Sequence, residues 1–169
     1  MSPVLFLCAI LVLAVSTDMA GRRIPNLIPL SGLVLALLLA LLSPQAVSVL
    51  DCLAGAVAGL LIFLPFYVLR GMAAGDVKLM AAVGAFVGPA MAWRIALATF
   101  IVGGVMAALV LVCSGRLWQC LRNLWLLCKG LWQRAHYGIR PAPLVSVGGI
   151  PYAVAIALST IGTLSLQRW

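Results

Sequence analysis

Six apolar stretches, each parted from the next by polar, glycine or proline residues, occupy most of this 169-residue chain. They run Pro3 to Thr17, Leu27 to Leu42, Val47 to Leu69, Val77 to about Trp93, Ile95 to Cys113 and Leu144 to Leu166. A helix that crosses a bilayer needs about 20 apolar residues, because lipid offers its backbone no hydrogen-bond partners. Charged residues make up only 8% of the chain, against about 25% in a soluble domain. That is too little polar surface to clothe a water-soluble fold of this size. A soluble enzyme, a disordered tail and a disulfide-rich secreted domain are therefore excluded. The expected fold is all-α: a polytopic integral membrane protein of about six transmembrane helices, one embedded domain over residues 1–169. The first, second and fourth stretches are short for a span. Either their polar ends dip into the interface, or the fourth, weakened by Gly84, Gly88 and Pro89, is partly re-entrant. The first stretch reads as a retained span with its N-terminus outside rather than as a signal peptide, since no Lys or Arg precedes Gly21.

Charge sets the expected orientation. Eleven Lys and Arg face three Asp and no Glu, a formal net charge of +8. The basic residues lie between apolar runs, which points to membrane topology and not to nucleic acid. With the 18–26 connection in the cytoplasm, Arg22, Arg23, Arg70, Lys78, Arg116, Arg122, Lys129, Arg134 and Arg140 fall inside. Only Arg94 and Arg168 fall outside. Residues 114–143 form the one sizeable stretch between spans. There Leu117, Leu121, Leu124, Cys128 and Leu131 recur at helical spacing beside Trp118, Trp125 and Trp132. Basic and amide residues take the other side, so this segment reads as an amphipathic helix on the cytoplasmic leaflet or, more plainly, a packed cytoplasmic helix. The lipid bilayer is thus the first expected partner. Five cysteines without a CxxC pair argue for free thiols, not a disulfide framework or zinc site. No cofactor or metal is called for.

Asp18, Asp51 and Asp76 are the whole acidic complement. Asp18 ends the first stretch and Asp76 begins the fourth. Two crossings separate them, so they return to one membrane face although 58 residues apart. Asp51 falls on the opposite face. Ionisable groups at membrane depth are functional candidates by default. Two close carboxylates share a proton, and one pKa rises. Such a pair can activate water: the ionised member takes a proton as water attacks a carbonyl, and the protonated member polarises that carbonyl and then protonates the leaving amine. The plain alternative is that each Asp caps a helix or pairs with a nearby base, as Arg22 and Arg23 would allow for Asp18. Ser16, Ser31 and Ser146 have no base beside them, and the lone His136 reads as interfacial, so a serine nucleophile finds no support.

The residues around the two aspartates add a resemblance. Met72-Ala73-Ala74-Gly75-Asp76-Val77-Lys78 is similar to the GxGDxK motif of the type IV prepilin leader peptidases. Asp18-Met19-Ala20-Gly21-Arg22-Arg23-Ile24-Pro25-Asn26 is similar to their first motif, an aspartate followed by a basic loop and Ile-Pro-Asn. These are GxGD-type intramembrane aspartic proteases. The resemblance implies that Asp18 and Asp76 are catalytic, with Gly75, Lys78, Arg22, Arg23, Pro25 and Asn26 as supporting motif residues. It implies a bacterial inner-membrane protein with its site toward the cytoplasm. Its partners would be a prepilin with a basic leader and a membrane-inserted helix and, further on, pilus assembly machinery. Without the CxxC-bearing cytoplasmic segment of longer members, the chain resembles the short, CpaA-like form of Flp/Tad pilus systems, and no residue supports methyl transfer. One departure is Ala73 where the motif has its first glycine. Alanine removes access to positive φ, so activity falls if the loop needs that conformation there.

The supporting residues also have plain readings. Gly75 allows a close backbone approach or serves a simple turn. Lys78 is two positions from Asp76 and points elsewhere on a helix, as a topology anchor or a substrate or lipid contact. Asn26 suits a helix cap, and Arg22 and Arg23 suit leaflet anchors. Gly55 and Gly59 suit close helix packing. The rival functions are a preflagellin-type peptidase of the same chemistry, and a non-enzymatic membrane subunit or small transporter using the aspartates as a proton or cation site. A transporter would show an internal repeat and midplane carboxylates; neither is visible.

Overall fold

Small residues decide which helix faces meet. The computed structural model describes residues 3–21, 24–43, 45–69, 71–113, 115, 118, 122, 125 and 152–166. Among them there are six α-helices and no strand: α1 (Pro3–Gly21), α2 (Leu27–Leu42), α3 (Val49–Val68), α4 (Ala74–Val87), α5 (Pro89–Cys113) and α6 (Tyr152–Leu166). Leu7, Leu11, Phe63, Ile95 and Ile156 fill the core, while small residues take the inward faces where helices lie closest. On α2, Leu27, Leu30, Val34, Leu38 and Leu41 are exposed, while Pro29, Gly32 and Ala36 are buried. This inside-small arrangement suits helices whose outer faces meet lipid and whose association depends on close packing. Three helices, α1, α3 and α5, are long and apolar enough to cross a membrane; α2 and α6 are apolar but shorter.

The contacts divide the chain into two units, Met1–Gly103 with Pro151–Trp169, and Gly104–Ile150. In the first unit α4 is the inner element. It packs on α1, α2, α3 and α6, most extensively on α3. Ten of its fourteen residues are buried. At 1.5 Å per residue its length is about 21 Å, well under the roughly 30 Å of a hydrocarbon core. A helix enclosed by other helices has no such thickness to match. The α3–α4 crossing is backbone against backbone: a Cβ on Gly55 would run into the Gly84 carbonyl, and one on Gly59 into the Met80 carbonyl. Gly32 brings α2 close to both Ala82 and Ile10. Phe63 and Phe66 of α3 close on Phe100 of α5, with ring centroids 5.0 and 4.6 Å apart. Buried Thr99 and Thr160 bond back to the carbonyls four residues earlier, which satisfies their hydroxyls inside the helix. Ser159 Oγ is the exception among the described buried side chains and has no partner.

Two boundaries differ from those read in the sequence. The break between the fourth and fifth stretches falls at Gly88-Pro89, not near Arg94. Gly88 has φ 79°, a left-handed conformation that a Cβ disfavours. Pro89 then opens α5, where its fixed φ suits a first turn and its missing N–H goes unneeded. Trp93 and Arg94 lie inside α5 and are exposed. The first helix also runs one turn further than its apolar stretch, through Asp18 to Gly21. Ser16 and Thr17, polar by type, return their hydroxyls to the carbonyls of Val12 and of Leu13 and Ala14, and so do not end it. In the second unit the expected surface helix of 114–143 lies outside the described residues except at Gly115, Trp118, Arg122 and Trp125; both tryptophans are exposed. Cys8, Cys52 and Cys113 are free; Cys120, Cys128 and His136 are outside the described set.

The glycine crossing makes a prediction of sign. Gly55→Ala must part α3 from α4 and is expected to destabilise by at least about 2 kcal/mol, the range of core overpacking. Gly104→Ala, with open space around it, should be neutral or slightly stabilising because alanine is the better helix former. Thermal unfolding of the detergent-solubilised variants measures both.

Candidate active site

Two helix ends carry the carboxylates. Asp18 lies in the last turn of α1, and Asp76 in the first turn of α4. Both are buried, with 8% and 5% of their surface exposed, and they are the only buried acids among the described residues. Asp76 lies close enough to Asp18 to feel its charge. The Asp76 carboxylate accepts a hydrogen bond from the Ala73 backbone N–H, while its own N–H donates to the Ala73 carbonyl at 3.2 Å. This is the reach-back half of a capping box, an acid three positions into the helix satisfying the N-cap amide. Asp18 Oδ2 accepts from the backbone N–H of Ala153 in the first turn of α6, at 3.4 Å.

The two motif segments are also fastened to each other. A Cβ on Gly75 would stand 3.0 Å from the Ile24 Cβ, so the absence of a side chain lets the connection after α1 lie against the start of α4. Here close approach is what the glycine provides, and it is not a simple turn. Lys78 Nζ donates to Asn26 Oδ1 at 3.0 Å. Lys78 does point away from Asp76, as its spacing requires, and what it meets is the first motif. Asn26 is not the cap expected from its type. It has helical φ and ψ of −57° and −23°, and its side chain makes no cap hydrogen bond, because its amide oxygen is taken by Lys78. The start of α2 is held by the carbonyls of Pro25 and Asn26, which accept from Ile28 and Leu30. Arg22 and Arg23 lie outside the described residues.

Ala73 has φ −80° and ψ 152°, an extended conformation open to any residue. The position does not call for a positive φ, so the departure from glycine introduces no backbone strain. Asp51 is held elsewhere. Ser48 Oγ donates to its carboxylate at 2.7 Å and accepts from its N–H at 3.1 Å, a cap on α3. Its Cβ lies 3.8 Å from where a Cβ on Gly88 would be, at the far end of α4 and roughly 18 Å of helix rise from Asp76.

The first turn of α6 was not anticipated as part of the site. Ala153 bonds Asp18, and the Tyr152 phenol lies within reach of the Asp76 charge. The available signal was the run Gly148-Gly149-Ile150-Pro151 ahead of an apolar segment, a helix start, but nothing local ties that start to an aspartate 135 residues away. No three His, Cys, Asp or Glu side chains gather into a metal-binding group among the described residues.

The fold defines a helical, membrane-type protein with two buried carboxylates at helix ends. Residues 5–112 match the type IV leader peptidase family, and the chain belongs to that family. No curated protein and no solved structure matches it. The family makes the chain a peptidase, of the kind that acts on prepilins in general. Both aspartates lie within the matched residues, and Tyr152 and Ala153 lie beyond them.

The Ala73 geometry yields a direct test. Ala73→Gly should leave peptidase activity within about twofold of the wild type, since neither residue is strained at that φ. Gly75→Val should abolish activity, because its side chain would push Ile24 and the first motif away. Activity assays normalised to membrane-inserted protein distinguish these outcomes.

Proposed function

We propose that this chain is an aspartic endopeptidase that cleaves the leader peptide from Flp-type prepilins at the cytoplasmic face of the bacterial inner membrane. The observation that carries the reading is the meeting of Asp18 and Asp76, buried and electrostatically coupled, from two motifs far apart in sequence. Like charges held together out of water favour one proton shared by the pair. The ionised carboxylate takes a proton from water as its oxygen attacks the scissile carbonyl. The protonated carboxyl hydrogen-bonds that carbonyl and stabilises the tetrahedral intermediate. When the C–N bond breaks, the amine leaves with a proton from the pair. Six crossings with the 18–26 connection inside put the site at the cytoplasmic leaflet, where the excess of Lys and Arg belongs. The substrate's apolar helix then lies in the bilayer and its basic leader in the headgroup layer. The released pilin passes to the assembly machinery. Gly75, Lys78 and Asn26 serve by holding the two motifs in register, and Arg22 and Arg23 by anchoring the connection to anionic lipid.

Co-expression with a Flp-type prepilin tests the reading. Wild type and Asp51→Asn are expected to release the leader, seen as a gel shift and a new N-terminus by sequencing. Asp18→Asn and Asp76→Asn should accumulate precursor while inserting normally, with cleavage down at least about 10³-fold, as for loss of a group central to acid–base chemistry. Processing by both motif variants would overturn the aspartic mechanism and favour a subunit or transporter role.

A further inference from the structure

Tyr152 begins α6 beside the two aspartates, and its placement is fixed from two sides. Its backbone neighbour Ala153 donates to Asp18 Oδ2 at 3.4 Å. Its ring lies over Gly103, where a Cβ would stand 3.1 Å from Cε1 and 3.5 Å from Cδ1. Glycine at 103 therefore makes room for the ring. The phenol lies close enough to Asp76 to feel its charge. No described residue shares a hydrogen bond with the hydroxyl, and the side chain is only partly buried. A tyrosine hydroxyl next to an acid ordinarily finds a partner. A hydroxyl left unbonded, on a residue whose chain neighbour bonds Asp18, has its donor available to whatever occupies the site.

We propose that Tyr152 is a third catalytic residue, whose hydroxyl donates a hydrogen bond to the scissile carbonyl oxygen as that oxygen gains charge. The inference rests on the peptidase reading above and deepens it. In the attack step the water oxygen bonds the carbonyl carbon, the water proton passes to the ionised aspartate, and the C=O π pair moves onto oxygen. The protonated aspartate supplies one donor to that oxygen and Tyr152 the second. The phenol keeps its proton throughout, so the proton balance is that of the carboxyl pair alone. A fixed donor aimed at developing charge acts on the transition state more than on the bound substrate, because the hydrogen bond strengthens as the charge appears.

Purified full-length protein, a prepilin substrate and two variants test this. Tyr152→Phe keeps the ring over Gly103 and removes only the donor. Its kcat is expected to fall about 10²-fold with KM within about threefold, the pattern of a lost oxyanion donor. Binding is measured in parallel with two prepilin peptides, one carrying a statine hydroxyl at the scissile position and one an uncleavable reduced amide. Tyr152→Phe should weaken the first by about tenfold or more and leave the second within twofold. If Tyr152→Phe cleaves like the wild type and only Tyr152→Ala fails, the ring is packing and the proposal falls. It falls equally if both peptides weaken alike, since the hydroxyl then serves ground-state binding. If the wild type itself releases no leader, the prepilin reading fails and takes this one with it; cleavage by wild type but not by Asp76→Asn separates the two failures.

Discussion

The approach of α3 to α4 governs what can happen at the carboxylates. Gly55 and Gly59 on one helix and Gly84 on the other leave backbone facing backbone, with carbonyls where side chains would stand. Lipid gives no hydrophobic reason for helices to associate, so their pairing depends on how closely their atoms pack. With α3 that near, α4 is drawn into the interior and surrounded by α1, α2 and α6. Its first turn then carries Asp76 into the interior, where only 5% of its surface stays exposed. The same enclosure explains the composition of α4. Ala81, Ala82, Gly84 and Ala85 are buried, and larger residues there would force the bundle apart.

Helix ends supply the rest of the site. Asp76 stands at the N-terminus of α4, where free amides and the positive end of the helix dipole favour an acid. Asp18 stands at the C-terminus of α1, the wrong end for its charge. The N-terminus of α6 corrects this, since Ala153 brings an N–H to Asp18 Oδ2. Burying an acidic side chain without such partners costs several kcal/mol. Three helix ends from distant parts of the chain thus meet, and Asp18, out of water at a helix C-terminus, takes its donor from another helix. Lys78 with Asn26, and Gly75 with Ile24, keep two of those ends from sliding past each other.

How much of this was legible in the sequence differs by feature. The helical class and the bounds of α2 follow directly from long apolar runs, which leave a chain few choices in lipid. The pairing of Asp18 with Asp76, and the separation of Asp51 from both, follow from counting crossings. Local chemistry misled where a tertiary partner outbid it. Asn26 has the type of a cap, yet Lys78 from another helix takes its amide oxygen. The Gly88-Pro89 dipeptide reads in the sequence as a weakness within one segment, yet it separates two helices. Tyr152 was invisible as a site residue because its meaning lies wholly in what α6 packs against, and periodicity reports a helix's faces without naming its neighbours.

The three acids of this chain show how one residue type is sorted by position. Each lies in a helix-terminal turn, Asp51 and Asp76 at an N-terminus with free amides and Asp18 at a C-terminus without them. Asp51 meets the Ser48 hydroxyl, which donates to its carboxylate and accepts from its N–H, and is finished by that cap. Asp76 has an alanine at the cap position and so only the Ala73 backbone to reach back to; its helix is buried, and Asp18 and Tyr152 lie near enough to interact with its charge. The difference between the two acids is therefore not in their place along the helix, since each is its helix's third residue. It lies in whether the helix that presents the acid is enclosed, and whether a second acid has been brought to the same place. In this chain the enclosure of α4 depends on the glycines of α3 and α4, which carry no chemistry of their own, and the second acid is held by the start of α6.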